Sequence, residues 1–163
     1  MTSTSRSTAK RAAAKPAGAS DRRTLLRRFE TFPERLSAAA RAAAKAPPIP
    51  GEWTPEHVAR HLIAVETIVH RTRLLDVAVH DGPSWSWTEP GPWMGEPDLD
   101  LDGVLARFAE LRAGTVATVR ALDDDGWQRS GKHATYERLD VAGLLRLATD
   151  HDAEHLKGLD RDA

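Results

Sequence analysis

The stretch 149-TDHDAEHLKGL-159 places two histidines, His151 and His155, four residues apart near the carboxyl end of the chain. In a helix, residues at this spacing lie on one face about one turn apart. Steps of three and four back from His151 reach Ala148 and Leu144, so the two imidazoles continue an apolar stripe. We therefore predict a helix whose histidines face a core, where buried imidazole nitrogens need partners.

A third inward histidine is predicted on a helix that begins at Thr54. Thr54 can cap this helix, and Pro55 suits its first position. His61 lies on a stripe at helical spacing whose other members are Val58, Val65, Ile68 and Thr72. His61, His151 and His155 would form a three-nitrogen metal site with an open position, which is typical of catalytic sites.

The other histidines and the nearby acids receive plainer interpretations. His57 forms a rival pair with His61, but it lies in the first helical turn, where exposure is common. His70, opposite the stripe, and His80, at the helix end, are predicted at the surface. Glu66 is predicted to be a partly exposed carboxylate paired with an arginine, with a supporting role at the metal as the alternative. Asp152 and Glu154 are interpreted as surface acids.

Two competing kinds of metal site are excluded by pattern. The chain has no cysteine, so any metal ligand must be histidine, aspartate or glutamate. It also lacks the zinc-protease pattern His-Glu-x-x-His and the repeated Glu-x-x-His of di-iron bundles.

Four amphipathic segments of helical period predict an all-α four-helix bundle in a single domain spanning residues 20–163. No segment shows the sustained alternation of a strand. Pro33 predicts a kink or break in the first helix near Phe32. The helices are expected over residues 20–45, 54–80, 101–122 and 141–160.

The connection over residues 81–100 is too long for a simple bundle turn. His61 lies early in helix two and the other two histidines lie late in helix four, so these helices must be antiparallel for the three to meet. That requirement predicts an up-down-down-up order with a long crossover between helices two and three. Trp93 would then lie near the metal as a substrate-binding residue, and Trp85 would be structural. The alternative is a crossover that has only a structural role and binds no substrate. In either case all three of its tryptophans are expected to pack against the bundle: Trp85, Trp87 and Trp93.

Residues 1–19 carry four basic side chains and no acid, and they lack apolar periodicity. We interpret them as a disordered basic tail that aids solubility, with nucleic-acid binding as the disfavoured alternative. No apolar run is long enough to cross a bilayer, and no signal-peptide core is present. A cytoplasmic location is therefore expected.

Two segments resemble the DinB-like superfamily, the DinB/YfiT-like metalloenzymes. The segment 53-WTPEHVARHLIAVE-66 is similar to the region of the first metal histidine, and 133-HATYERLDVAGLLRLATDHDAEHLKGL-159 to the region of the other two. The resemblance implies a four-helix bundle that binds a divalent metal such as zinc, nickel, iron or manganese through His61, His151 and His155. It also fits a homodimer. One departure is Glu137, near a position where the family often has glycine; His133, which opens this segment, is interpreted as a structural hydrogen-bonding residue.

The resemblance implies an enzyme that joins a small-molecule thiol to an electrophilic substrate, as an S-transferase or a related isomerase or lyase. A free thiol is mostly protonated at neutral pH, and metal coordination would remove its proton. Because the chain has no cysteine, the thiol would be a cosubstrate. The alternative is a non-catalytic metal-binding bundle that acts as a ligand-binding or interaction module.

Overall fold

The computed structural model describes residues 17–160, and the predicted disordered tail falls almost entirely outside this range. The chain forms helices and three short strands, in the order α1 (Ala19–Ala43), α2 (Pro55–Val65), a π-helix (Glu66–His70), α3 (Arg71–Val79), β1 (Ser84–Trp85), α4 (Leu101–Arg120), α5 (Asp124–Gln128), β2 (Ser130–His133), β3 (Glu137–Asp140) and α6 (Val141–Leu159). None of these helices is long and apolar enough to span a membrane. The four predicted long helices are thus present, with α2, the π-helix and α3 forming the second.

The second long helix contains a π-helical turn that the sequence did not reveal. In a π-helix each N–H bonds to the carbonyl five residues back, as Arg71 does to Glu66, so the side chains advance more slowly around the axis. The inward stripe shifts by one position: Val69 is buried, whereas Ile68 is 51% exposed. The prediction that Ile68 and Thr72 face inward is wrong for this reason, since Thr72 is also exposed.

The first helix does not break at Pro33. It runs without interruption from Ala19 to Ala43, with Phe32 and Pro33 both buried. Of the two alternatives predicted near Phe32, the break is therefore wrong, and the kink stays a prediction. Burial of Phe29, Phe32 and Leu36 on one face supplies the packing that keeps the helix continuous around the proline.

A small three-stranded sheet corrects the all-α prediction. β1 pairs parallel to β2, and β2 pairs antiparallel to β3. These strands are only two to four residues long, too short to show the alternation that reveals a strand in a sequence. In β3, Glu137 adopts a φ of 60°, a left-handed conformation that costs most residues about 1–2 kcal/mol. The glutamate thus keeps the backbone shape that glycine would adopt easily.

Two groups of buried apolar side chains fill the bundle. One group joins the beginning of α1 and of α6 to the ends of α3 and α4, and includes Phe29, Val77, Val119 and Leu145. The other joins the end of α1 and of α6 to the beginnings of α2 and α4, and includes Leu36, Leu62, Phe108 and Leu159. Each half of the bundle therefore has its own apolar core.

The crossover between α3 and α4 is fastened to the start of the bundle by Arg60. This buried guanidinium donates to the carbonyls of Gly95, Glu96 and Leu99 at 3.0, 3.3 and 3.1 Å. The ring of Trp93 lies 5.7 Å from the guanidinium carbon, and its backbone N–H donates to the Arg60 carbonyl at 3.0 Å. A side chain at Gly95 would begin 2.4 Å from the Trp93 ring, so glycine permits this fold of the loop.

A charged network lies inside the bundle beside these apolar groups. Arg112, 1% exposed, donates to Glu66 at 2.9 Å and to both oxygens of Asp152 at 2.8 and 3.2 Å. It also donates to the carbonyl of Phe29 at 2.9 Å, and the Thr115 hydroxyl donates to Glu66 at 2.5 Å. One arginine therefore ties α1, the π-helix, α4 and α6 together. Its pairing satisfies charges that would be costly to bury alone.

Replacing Arg112 with methionine should lower the free energy of unfolding by about 3–5 kcal/mol, because two buried carboxylates would lose their partner. Chemical denaturation followed by circular dichroism measures this. The matched control is Arg120→Met, which breaks an exposed pair with Glu30 and should cost less than about 1 kcal/mol. Equal losses for the two variants would contradict the role given to the network.

Candidate metal centre

The three predicted histidines meet between α2 and α6. The ring centroid of His61 lies 5.5 Å from that of His151 and 4.8 Å from that of His155, and the last two are 4.5 Å apart. One ligand atom from each lies within 4.8 Å of those of the other two. His61 is buried, and the pair on α6 is partly buried, so the group has a solvent-facing side. The structure thus brings together the three side chains that helical spacing selected on two separate helices.

The crossover sets the orientation of the His61 ring. The Nδ1 of His61 lies 2.9 Å from the carbonyl oxygen of Pro90. A carbonyl can only accept, so Nδ1 must carry the hydrogen, and the lone pair of the neutral ring is left on Nε2. Metal-binding histidines are commonly oriented by this kind of hydrogen bond from the nitrogen that does not bind the ion.

The environment keeps the three imidazoles neutral near pH 7. Burial lowers the pKa of His151 to about 4, with the neighbouring His155 and His61 adding to the effect. Burial also lowers the pKa of His155 to about 4 and that of His61 below its ordinary value. The Nε2 atoms of His151 and His155 face each other at 3.2 Å. Three neutral nitrogen donors converging on one point are a set that divalent zinc, nickel, iron or manganese accepts, so the residues fit a metal ion.

Behind His151 lies a second group that the sequence interpretation missed. Ligand atoms of His70, His151 and Asp152 also lie within 4.8 Å of one another. The Nε2 of His70 and the Nδ1 of His151 are buried and have no hydrogen-bond partner among residues 17–160. Burial lowers the pKa of His70 well below its ordinary value, so this ring is neutral. Because Asp152 already binds Arg112 through both oxygens, we interpret this group as support for His151.

The prediction of surface positions for His70 and Asp152 is therefore wrong. The π-helical turn rotates Glu66 and His70 toward α6, an effect that regular helical spacing does not anticipate. Glu66 is paired with an arginine, as predicted, but is fully buried and not partly exposed. Asp152 is 2% exposed, and burial raises its pKa to about 6 while Arg112 opposes that shift.

The remaining histidines agree with their predicted positions. His57 is exposed, and its Nδ1 lies 2.8 Å from the hydroxyl of Thr54, the helix cap. His80 is exposed and pairs with Asp76. Glu154 is also exposed. His57 therefore lies outside the histidine group, which leaves His61 as the member from α2.

Two further residues border the site and were not singled out by the sequence. The ring of Trp53, 47% exposed, lies 5.0 Å from that of His61. Glu89, an exposed residue next to Pro90, is close enough to raise the pKa of both His61 and His155 against the larger lowering effect of burial. Both lie in loops, where no periodicity marks their direction. The only sequence feature that could have indicated Trp53 is its position immediately before Thr54, the cap of α2.

The crossover tryptophans differ in their surroundings. Trp85 packs against the bundle core, and its indole N–H donates to Asp76 at 2.9 Å. Trp93 packs at the opposite core group, beside Arg60. Trp87 is 58% exposed, so the expectation that all three pack against the bundle is wrong for this residue.

A helical bundle with neutral histidines converging from two helices defines a class of candidate metalloproteins. The sequence signature described as DinB superfamily matches residues 23–158 of the chain. The chain therefore belongs to the DinB superfamily.

Among solved structures, the chain is similar to YfiT from Bacillus subtilis, described as a probable metal-dependent hydrolase with an unusual four-helix bundle topology. The TM-score is 0.70 with 21% sequence identity, and the match covers 93% of each chain. At this identity the likeness establishes the fold. A comparison with curated proteins gave no match.

Replacing His151 with alanine should abolish stoichiometric binding of a divalent metal, because it removes one of three converging nitrogens. Metal content is measured by mass spectrometry on protein purified without a histidine tag. His57→Ala is the matched control, since His57 lies one turn before His61 on α2 but outside the group, and it should keep full occupancy. Retention of metal by the His151 variant together with loss in the His57 variant would contradict the assignment.

Proposed function

We propose that this protein is a divalent-metal-dependent enzyme that acts on a small-molecule substrate, with His61, His151 and His155 as the metal ligands. The observation that carries the proposal is the convergence of three neutral imidazoles, one of them oriented by the Pro90 carbonyl. Three histidines leave room for a further ligand, as catalytic sites do. A closed structural site would need a fourth protein ligand.

An up-down-down-up order of the long helices is part of this proposal. It is supported by the two core groups, since the beginnings of α1 and α6 share one of them with the ends of α3 and α4. This order makes the second and fourth long helices antiparallel. His61, near the start of α2, then lies beside the late α6 residues His151 and His155.

We propose that the enzyme joins an electrophilic substrate to a small thiol cosubstrate. The alternative within this proposal is a thiol-dependent isomerase or lyase reaction of that substrate. A divalent ion at the three histidines would lower the pKa of a thiol or a water molecule that binds it. Glu89 is exposed and close enough to act electrostatically on His61 and His155, and on this proposal it would accept the released proton. Trp53 covers the His61 ring and would limit the access of water on that side. The buried Arg112 network holds the π-helix and α6 in register behind the ligands.

Hydrolysis is the second candidate reaction. It is favoured by the likeness to YfiT, described as a probable metal-dependent hydrolase, and by the carboxylate of Glu89, which could serve a water nucleophile equally well. The non-catalytic alternative keeps the same ligands but predicts no turnover of either kind.

The test is a paired screen on protein loaded with zinc, nickel, iron or manganese in turn. One arm follows the consumption of small cellular thiols in the presence of electrophiles, and the other follows the hydrolysis of ester and amide substrates. Glu89→Gln should lower kcat about a hundredfold in the productive arm with metal content unchanged, because the proton acceptor is lost. Glu52→Gln, an exposed acid outside the site, is the control. Metal binding without turnover in either arm would favour the non-catalytic alternative.

We retain Trp93 as a proposed substrate-binding residue of the crossover. Trp93→Ala should raise the KM for the substrate found in the screen while metal content stays constant, because the loop beside the site loses its contact with Arg60. Trp85→Ala should instead lower the melting temperature, since Trp85 packs in the core and binds Asp76. An unchanged KM in the Trp93 variant would show that the crossover has only a structural role.

A further inference from the structure

His133, at the end of β2, carries a hydrogen-bond donor that nothing in the described chain accepts. Its side chain is 1% exposed, and its Nδ1 accepts the backbone N–H of Thr135 at 3.0 Å. The neutral ring therefore holds its hydrogen on Nε2. That Nε2 is buried and has no hydrogen-bond partner within residues 17–160. Leaving a buried donor unsatisfied costs about 1–3 kcal/mol, so the group requires an explanation.

Two further donors lie beside His133. Arg73, on α3, is half-buried and donates through Nη2 to the carbonyl of Ser86 at 2.8 Å. No carboxylate in the described part of the chain lies within ion-pair distance of it. Its guanidinium is close enough to act electrostatically on both His133 and Tyr136. The Tyr136 ring, 42% exposed, lies 5.0 Å from that of His133.

These side chains gather a positive charge and hydrogen-bond donors, and among residues 17–160 no carboxylate forms an ion pair with Arg73. The group opens to solvent at Tyr136 and at Trp87, whose rings are 6.4 Å apart. We propose that Arg73, His133 and Tyr136 form a binding subsite for the anionic group, a carboxylate or a phosphate, of the small-molecule substrate. An arginine with unpaired N–H groups matches such an anion in both charge and geometry.

The subsite is connected to the metal centre by the crossover. Arg73 binds the carbonyl of Ser86, and His61 binds that of Pro90, four residues further on. Four extended residues span at most about 13 Å. These two carbonyls therefore lie no further apart than that, and a substrate anchored at Arg73 would extend along this part of the crossover to place its reacting atom at the three histidines. This assignment of substrate class rests on the proposed function, whereas anion binding itself does not require the metal.

Inorganic phosphate and acetate are the probes, titrated against the full-length chain at constant ionic strength with chloride as the balancing anion. The readout is the indole N–H signal of Trp87 in a proton–nitrogen correlation spectrum, assigned from a Trp87→Phe variant. The wild-type chain should show a saturable shift, before and after removal of metal by a chelator. The anion that binds more tightly identifies the preferred group, and saturation by either supports the subsite.

Arg73→Gln should weaken anion binding at least tenfold. Tyr136→Phe, which removes only a hydroxyl from an exposed ring, should weaken it several-fold with no loss of folding. The control is Arg138→Gln, which removes the same charge from an exposed position on β3 and should leave the titration unchanged.

Equal binding in the Arg73→Gln and Arg138→Gln variants, or no saturation in the wild type, would overturn the proposal. So would a shift that disappears on chelation but survives in the Arg73 variant, because the anion would then lie on the metal. Failure of the metal assignment is distinguishable, since it would appear as metal retention in His151→Ala and would leave this titration intact.

Discussion

The buried guanidinium of Arg112 is the interaction on which the arrangement of the bundle depends. It lies 3.7 Å from the ring centroid of Phe29 and binds carboxylates from the π-helix and from α6. An apolar core tolerates sliding of one helix along another, because dispersion contacts are not directional. Hydrogen bonds to Glu66 and to both oxygens of Asp152 fix the register of these elements. Since His151 directly precedes Asp152, the same contacts fix the position of the two α6 histidines.

The candidate site combines a rigid part with a part supplied by a loop. His151 and His155 lie on a regular helix, and His61 lies about two turns from a capped helix start. The orientation of His61 comes from the crossover, through the carbonyl of Pro90, and the crossover is itself held by Arg60. A loop fastened at several points can position a backbone carbonyl as firmly as a helix positions a side chain. This explains why the Arg60 side chain, which bonds to the crossover carbonyls of Gly95, Glu96 and Leu99, belongs to the architecture of the site.

Two groups of polar side chains that contact the crossover have opposite character. The histidine group presents lone pairs that suit a cation, whereas Arg73, Tyr136 and His133 present donors that suit an anion. Both groups use carbonyls of the same crossover to fix one member. A metal-dependent enzyme that acts on an anionic small molecule would use the first group for chemistry and the second for placement.

The sequence by itself determined the four long helices, the cap at Thr54, and the inward direction of His61, His151 and His155. These follow from local rules, since helix caps and three-and-four spacing act within a few residues. Only the tertiary structure decided the π-helical turn, which brings Glu66 and His70 inward, and the pairing of Arg112 with Asp152. It also decided the short sheet, the contact of Trp53 with His61 and the carbonyl of Pro90 beside that ring. These features depend on groups far apart in the chain, and the free energy that selects them comes from packing and buried hydrogen bonds, which leave no periodic trace in a sequence.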